Sequence, residues 1–279
     1  MDYRSFLVHV ETDSTSSDAR LDLAASLAKR FEATLIGVAG SAVPPLPMAD
    51  PYGVIIDGEI MAAQEACVHE ELKAAEDLFR KNPSCKGLST EWRPAPERPV
   101  EVITREARAA DVVIVGRDLE RIRRYPYQSA DPGDVLMRSG RPLLIVPPGA
   151  CALEAKRILI GWKDTREACR AVWDALPFLE RAERVHVVDI AEERDLDPAA
   201  RRVHDVVAYL ERHHVKAQAE ARAQRERSVA DELLLVAEQT GADLLVAGGY
   251  GHARLREWIF GGVTGDLLMH SPKCCFLSH

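Results

Sequence analysis

Short apolar runs alternate with amphipathic segments along the whole chain. Continuous runs rich in Val, Ile and Leu that are separated by helical patterns are typical of a parallel sheet covered on both faces. We therefore predict an α/β fold. The predicted strands of the first half are 6–10, 34–38, 88–92, 111–116 and 142–146, and those of the second are 157–162, 185–188, 216–221, 243–248 and a closing apolar strand.

The second half of the chain repeats the first. Residues 243–248 match 111–116 at an offset of 132, and 266–271 match 134–139 at the same offset. At the first strand of each half the offset is 152, which pairs Phe6 with Ile158. A register kept through several elements indicates an internal repeat. The sequence predicts two tandem five-stranded parallel-sheet domains, at 1–150 and 151–279, packed as a pseudo-twofold pair.

The change of offset indicates that the first half carries extra residues. We assign them to the proline-rich stretch 40–58, which we expect to be an exposed excursion because proline disrupts both helices and sheet interiors. The joint between the halves is the short stretch 147–150. Such a short linker predicts that the two halves pack against each other.

Composition and charge narrow the class of protein. The 279 residues carry a net charge of −8, which disfavours nucleic acid and anionic membrane surfaces as partners. No apolar run approaches the ~18 residues of a membrane span, and the first residues lack a signal-peptide pattern. The six cysteines show no disulfide spacing, so we expect reduced thiols and a cytoplasmic location.

The most informative motif follows the strand 243–248. Gly248 and Gly251 allow a sharp turn and a close backbone approach to a ligand. Gly261 and Gly262 form a second glycine corner just before Thr264, which we expect to cap the next helix. The amides and dipole at a helix start suit phosphate. Two glycine corners are therefore expected to hold a polyphosphate chain, and the alternative is a tight loop without a ligand.

Other reactive motifs are absent from the sequence. It has no Gly-x-x-x-x-Gly-Lys-Ser/Thr, no Gly-x-Gly-x-x-Gly after a first strand, no Gly-x-Ser-x-Gly and no His-Glu-x-x-His. Because these motifs are absent, we expect no catalytic residues. Adjacent Cys274 and Cys275 point to opposite faces of a strand, so we expect no metal site there. Trp173, Leu176 and Leu179 form a helical stripe that predicts core packing.

The chain resembles the universal stress protein family, and specifically its tandem two-domain members. The family motif is Gly-x-x-Gly, nine residues, then Gly-Ser/Thr, and Gly248, Gly251 and Gly261 have this spacing. The opening strand 158–160 and the stretch His186-Val187-Val188-Asp189 extend the resemblance.

This resemblance implies a five-stranded parallel fold that binds ATP, or ADP or AMP, with Mg²⁺ accompanying the phosphates, in a stress-linked sensor. By analogy, adenine lies near Trp162, Lys163 and Val187. The ribose and phosphates follow a second group of residues in the chain, which are Gly248, Gly251, Gly261, Gly262, Val263 and Thr264.

Two positions depart from the family pattern. Gly262 replaces the expected serine or threonine, which removes a hydroxyl but keeps the backbone N–H. Lys163 replaces the acidic residue at the end of the first strand, and Asp164 follows it. The sequence leaves open whether Asp164 substitutes for the acid, Lys163 meets phosphate charge, or the two form an ordinary exposed pair.

The first half lacks the motif at the equivalent positions. Leu119 and Ser129 replace two of the glycines, and Asp131 and Pro132 follow. Asp131 adds negative charge beside a phosphate and Pro132 removes an N–H donor. We therefore expect a degenerate first half that binds no ATP there.

No catalytic base is assigned, so at most slow ATP hydrolysis is expected. The alternative to nucleotide binding is a nucleotide-free scaffold of the same fold. In that case the apolar closing strands serve homodimer formation or protein partners.

Overall fold

The computed structural model describes residues 2–12, 15–44, 58–249 and 262–279. Within these ranges the strands are β1 Ser5–His9, β2 Thr34–Gly40, β3 Thr90–Ala95, β4 Val112–Gly116, β5 Leu143–Val146, β6 Arg157–Gly161, β7 Arg184–Ala191, β8 Ala217–Ala223, β9 Leu244–Gly248 and β10 Cys274–Ser278. The α-helices are α1 Thr15–Phe31, α2 Gly58–Lys81, α3 Pro99–Glu106, α4 Leu119–Arg124, α5 Pro132–Ser139, α6 Arg166–Leu179, α7 Leu196–Arg212, α8 Val229–Thr240 and α9 Val263–His270.

The strands form a single ten-stranded sheet in the order β3-β2-β1-β4-β5-β10-β9-β6-β7-β8. All neighbouring strands are parallel within each set of five, and the sets meet through the antiparallel pair β5–β10, with Phe276 opposite Leu144. The predicted α/β fold with two equivalent five-strand sets is confirmed. The domain limits 1–150 and 151–279 stay a prediction about the sequence repeat.

The two halves share the core on one face of the sheet. Aromatic rings cross the junction, with Phe31 5.3 Å and Tyr3 5.2 Å from Phe178 between ring centroids. The Tyr3 hydroxyl donates to the backbone oxygen of Asp174 in the second half at 2.5 Å. Because these contacts bury large apolar surface from both halves, the halves are stabilised together.

Local sequence fixes where the helices of the second half begin and end. The Thr165 hydroxyl accepts from the Ala168 amide at 3.2 Å before α6, and Ser228 caps α8 in the same way at 3.1 Å. Gly241 ends α8 in the left-handed conformation, with φ of +65°, which glycine adopts without a steric penalty. These caps fix the helix ends that surround the site described below.

One expectation about the core is wrong. Leu176 and Leu179 are buried, but Trp173 of the same predicted stripe is 60% exposed on α6. Its ring lies edge-on to that of His213 at 6.5 Å. The apolar stripe is wider than the buried face of the helix. Periodicity alone therefore predicted burial for Trp173, which lies just outside that face.

The predicted excursion at 40–58 lies largely outside the described residues, which omit 45–57. Among the described helices, none combines the length and the apolar character that crossing a bilayer requires.

Candidate nucleotide site

In the second half, the order of the strands along the sheet reverses at β6. β7 and β8 lie on one side of β6, and β9 and β10 lie on the other. α6 and α7 pack on one face of the second half, where Val172 and Val203 are buried, while α8 and α9 pack on the other, where Leu233 and Leu267 are buried. Ligands of open α/β sheets bind at the carboxyl ends of strands at such a point. Because Gly161 pairs with Ala247, the residues that follow β6 and β9 come together at this edge.

Gly248, the last residue of β9, lies against the start of α6. A Cβ at this position would come within 2.5 Å of the Ala168 nitrogen and 2.7 Å of the Glu167 carbonyl carbon. Helix packing therefore requires glycine here, a reason the sequence alone did not give. Contact between Gly248 and a ligand stays a prediction.

Gly249 is fixed on three sides. Its amide donates to the Ser278 carbonyl at 2.8 Å, and its own carbonyl lies 3.0 Å from Nδ1 of His279. A Cβ on Gly249 would be 2.6 Å from Cδ2 of Leu136, on α5 of the first half. The structure thus anchors the beginning of the loop to both halves. Sequence analysis missed Gly249 because its partners lie far away in the chain.

The central part of the glycine motif, including Gly251 and Gly261, lies outside the described residues. The description resumes at Gly262, which is the N-cap of α9 and has φ of +112°. This conformation favours glycine over any other residue, so it accounts for Gly262 in place of a serine or threonine. The expectation that Thr264 caps the helix is wrong, because α9 already begins at Val263.

The equivalent helices of the two halves begin in different ways. In the first half, the Asp131 carboxylate caps α5 and accepts from the amides of Gly133 and Asp134 at 2.8 and 3.1 Å. In the second half, the cap residue Gly262 has no side chain to accept from the first amides of α9. The Asp131 carboxylate therefore supplies a negative charge at the start of α5, whereas the cap residue of α9 supplies none.

The residues expected near adenine meet at the ends of β6 and β7. The Trp162 amide donates to the Val188 carbonyl at 2.8 Å, and the Trp162 side chain is 9% exposed. Val187 is fully buried within β7, while Lys163 and Asp164 are exposed. The structure thus places Trp162 and Val187 together and leaves the Lys163 ammonium in solvent. Roles at a ligand stay predictions for all three predicted residues.

In the first half, Arg20 occupies the space beside Gly116, where a Cβ would collide with Nη1 of Arg20. Arg20 is 2% exposed. Its Nε donates to the His9 carbonyl at 3.0 Å, and its Nη2 donates to the Glu11 carboxylate at 2.9 Å. A buried ion pair thus fills the position that corresponds to the candidate site.

Burial and charge set the protonation of this cluster. Burial lowers the pKa of His9 to about 4, so the ring is neutral at pH 7. Burial opposes the charge of Glu11, but the Arg20 and Arg121 guanidinium charges favour it and hold the pKa of Glu11 below its ordinary value. Glu11 is therefore ionised and paired at neutral pH.

No group of three His, Cys, Asp or Glu side chains converges as metal ligands among the described residues. Cys274 and Cys275 are buried in β10. Burial raises the pKa of Cys274 to about 12 and that of Cys275 to about 11, so both are thiols at neutral pH.

Comparison with known proteins agrees with this architecture. Residues 154–277 match the model of the universal stress protein family. No curated protein sequence matches the chain.

Two solved structures share the fold over nearly the whole chain. A universal stress protein from Archaeoglobus fulgidus DSM 4304 is 14% identical, with 98% of this chain and 95% of that chain covered at a TM-score of 0.70. A protein from Pseudomonas aeruginosa UCBPP-PA14 that is assigned to the same family is 14% identical, with 99% and 93% covered at a TM-score of 0.59. The second half of this chain thus matches the model of the universal stress protein family, and the whole chain shares the fold of these two structures.

Proposed function

We propose that the second half of this protein binds an adenine nucleotide at the carboxyl ends of β6 and β9. ATP is the first candidate for this nucleotide. The phosphates lie along Gly248, Gly251 and Gly261 and end at the start of α9. Adenine lies on the side of Trp162, Lys163 and Val187, and Mg²⁺ arrives with the phosphates. Binding serves a stress-linked sensor rather than a dedicated enzyme.

The observation that carries this proposal is the difference between α9 and α5. α9 begins one position earlier in the repeat than α5, at 263 rather than 264, and both helices contain Gly-Asp at the corresponding positions 133–134 and 265–266. Asp131 places a carboxylate on the amides of α5, whereas α9 begins after a glycine without a side chain. Because helix starts attract anions, a start of α9 whose cap residue has no side chain suits a phosphate.

The first half is expected to take no nucleotide at the equivalent place. Arg20 fills the space beside Gly116, and Asp131 occupies the helix start. A phosphate there would have to displace one buried ion pair and one helix cap. This difference supports the assignment of sensing to the second half and of a supporting role to the first.

The test compares ATP binding by the unaltered chain with that of Val263→Asp and Val263→Asn. Val263 corresponds to Asp131 in the repeat, so aspartate adds the first half's negative charge to the start of α9. Asparagine has nearly the same shape without the charge and is the matched control.

We expect the unaltered chain and Val263→Asn to bind ATP, measured by isothermal titration calorimetry with Mg²⁺. We expect Val263→Asp to lose at least about tenfold in affinity, because a like charge opposes phosphate. Equal ATP affinity in the two variants would contradict phosphate binding at α9. No heat of binding with the unaltered chain up to millimolar ATP would favour the nucleotide-free scaffold.

A further inference from the structure

Three buried side-chain polar atoms of the second half lack a hydrogen-bond partner among the described residues. Oε2 of Glu232 lies 3.5 Å from Nε of Arg222 in an ion pair, which leaves two further atoms. One is Nε1 of Trp162, a hydrogen-bond donor, and the other is Oδ1 of Asp189, an acceptor. Trp162 is 9% exposed and Asp189 is 1% exposed. Buried donors and acceptors are nearly always paired in proteins, so each of these atoms indicates a missing partner.

Asp189 is held in place by its other oxygen. Oδ2 accepts from both Nε and Nη2 of Arg202, at 3.0 and 2.8 Å. This paired contact comes from α7 and fixes the carboxylate from one side. Oδ1 of the same carboxylate is thereby presented as an oriented acceptor.

Trp162 and Asp189 lie at neighbouring positions on one face of the sheet. β6 and β7 pair with Gly161 opposite Val188, so the next residues along each strand are Trp162 and Asp189. Side chains alternate between faces along a strand. Trp162 therefore shares the face of Ile160, and Asp189 shares that of Val187, and both of these side chains lie in the same core cluster.

The first half has no such pair. Continuing its register, in which His9 lies opposite Val38, places Val10 and Ala39 at the equivalent positions, and both are apolar and buried. The donor and acceptor thus occur in the half whose α9 is capped by a glycine, and the equivalent positions of the first half carry neither.

We propose that Trp162 and Asp189 recognise the edge of the base, an inference that rests on the proposed nucleotide function. Adenine presents a ring nitrogen acceptor next to the donor of its 6-amino group. Nε1 of Trp162 donates to the ring nitrogen, and Oδ1 of Asp189 accepts from the amino group. The two residues determine the preference for a 6-aminopurine.

The first test uses the unaltered protein and changes only the ligand. ATP is compared with the triphosphate of purine riboside, which carries hydrogen in place of the 6-amino group. We expect the analogue to bind about tenfold more weakly or worse, because Oδ1 of Asp189 stays unpaired beneath it. ATP and the analogue binding equally would overturn the inference and leave nucleotide binding intact. Failure of both ligands to bind would overturn the proposed function as well.

The second test assigns the effect to the two side chains. Asp189→Asn keeps an oxygen for Arg202 but turns an amino group towards the base, and Trp162→Phe removes only the donor. We expect both variants to bind ATP more weakly, and Asp189→Asn to bind ATP and the analogue about equally. Melting temperatures without ligand report whether each variant is folded. A folded Asp189→Asn protein that still prefers ATP tenfold would contradict the role of Asp189.

Discussion

The guanidinium of Arg20 lies in the space beside Gly116 that would hold a side chain at any other residue. The two residues belong to different elements of the first half, α1 and the end of β4. Their contact fills the edge of the sheet in the first half that corresponds to the candidate site of the second half. The same fold therefore has one filled position and one proposed binding position.

Removing the Arg20 charge is expected to destabilise the protein. Arg20→Met leaves the Glu11 carboxylate buried without its partner, at a cost of about 3–5 kcal/mol in the free energy of unfolding. Urea denaturation measures this loss. The double variant Arg20→Met/Glu11→Gln removes both charges and should recover part of it. Arg20→Met as stable as the unaltered protein would show that the pair is unimportant for folding.

Acid should weaken the fold through His9. Because its pKa in the folded state is about 4, below the ordinary value near 6.5, the unfolded chain binds the proton first as pH falls. His9 thus costs no stability above about pH 6.5 and lowers stability progressively down to pH 4, by about 3 kcal/mol in all.

Unfolding free energies of the unaltered protein, His9→Gln and His204→Gln, measured from pH 7 to 4, test this prediction. The difference between the unaltered protein and His9→Gln should shrink as pH falls. His204 is exposed, so His204→Gln should follow the unaltered protein. A difference for His9→Gln that is constant with pH would contradict a buried neutral histidine.

The cap of α5 should contribute to stability and not to ligand binding. Asp131→Ala removes two hydrogen bonds at the helix start and should cost about 1 kcal/mol. Asp131→Asn keeps an acceptor oxygen and should lose less. Urea denaturation gives both values, and ATP titration of the same variants should give unchanged affinity. Weaker ATP binding by folded Asp131→Ala would place a ligand contact in the first half.

Much of the fold could be predicted from local patterns. The apolar runs locate the strands, and the constant offset between residues 111–116 and 243–248 reveals the repeat. Gly241 ends α8 in a left-handed cap, a local feature that depends on few neighbours. Trp173 was misplaced because a helical stripe does not show where its buried face ends.

The candidate site was less predictable because its key contacts are distant in sequence. Nothing near Gly116 indicates that Arg20 fills its space. Asp189 belongs to the stretch that resembles the family. The sequence does not show, however, that Arg202 pairs with only one of the two carboxylate oxygens. The helix start at Val263 rather than after Thr264 follows from the backbone of Gly262, which sequence does not specify.

The stoichiometry of ATP binding to the full chain tests the central claim most directly. Calorimetry with Mg²⁺ and purified protein counts the sites without any substitution. One ATP per chain is the predicted result, since the second half binds and the first half is closed by Arg20 and Asp131. Two ATP molecules per chain, or none, would contradict it.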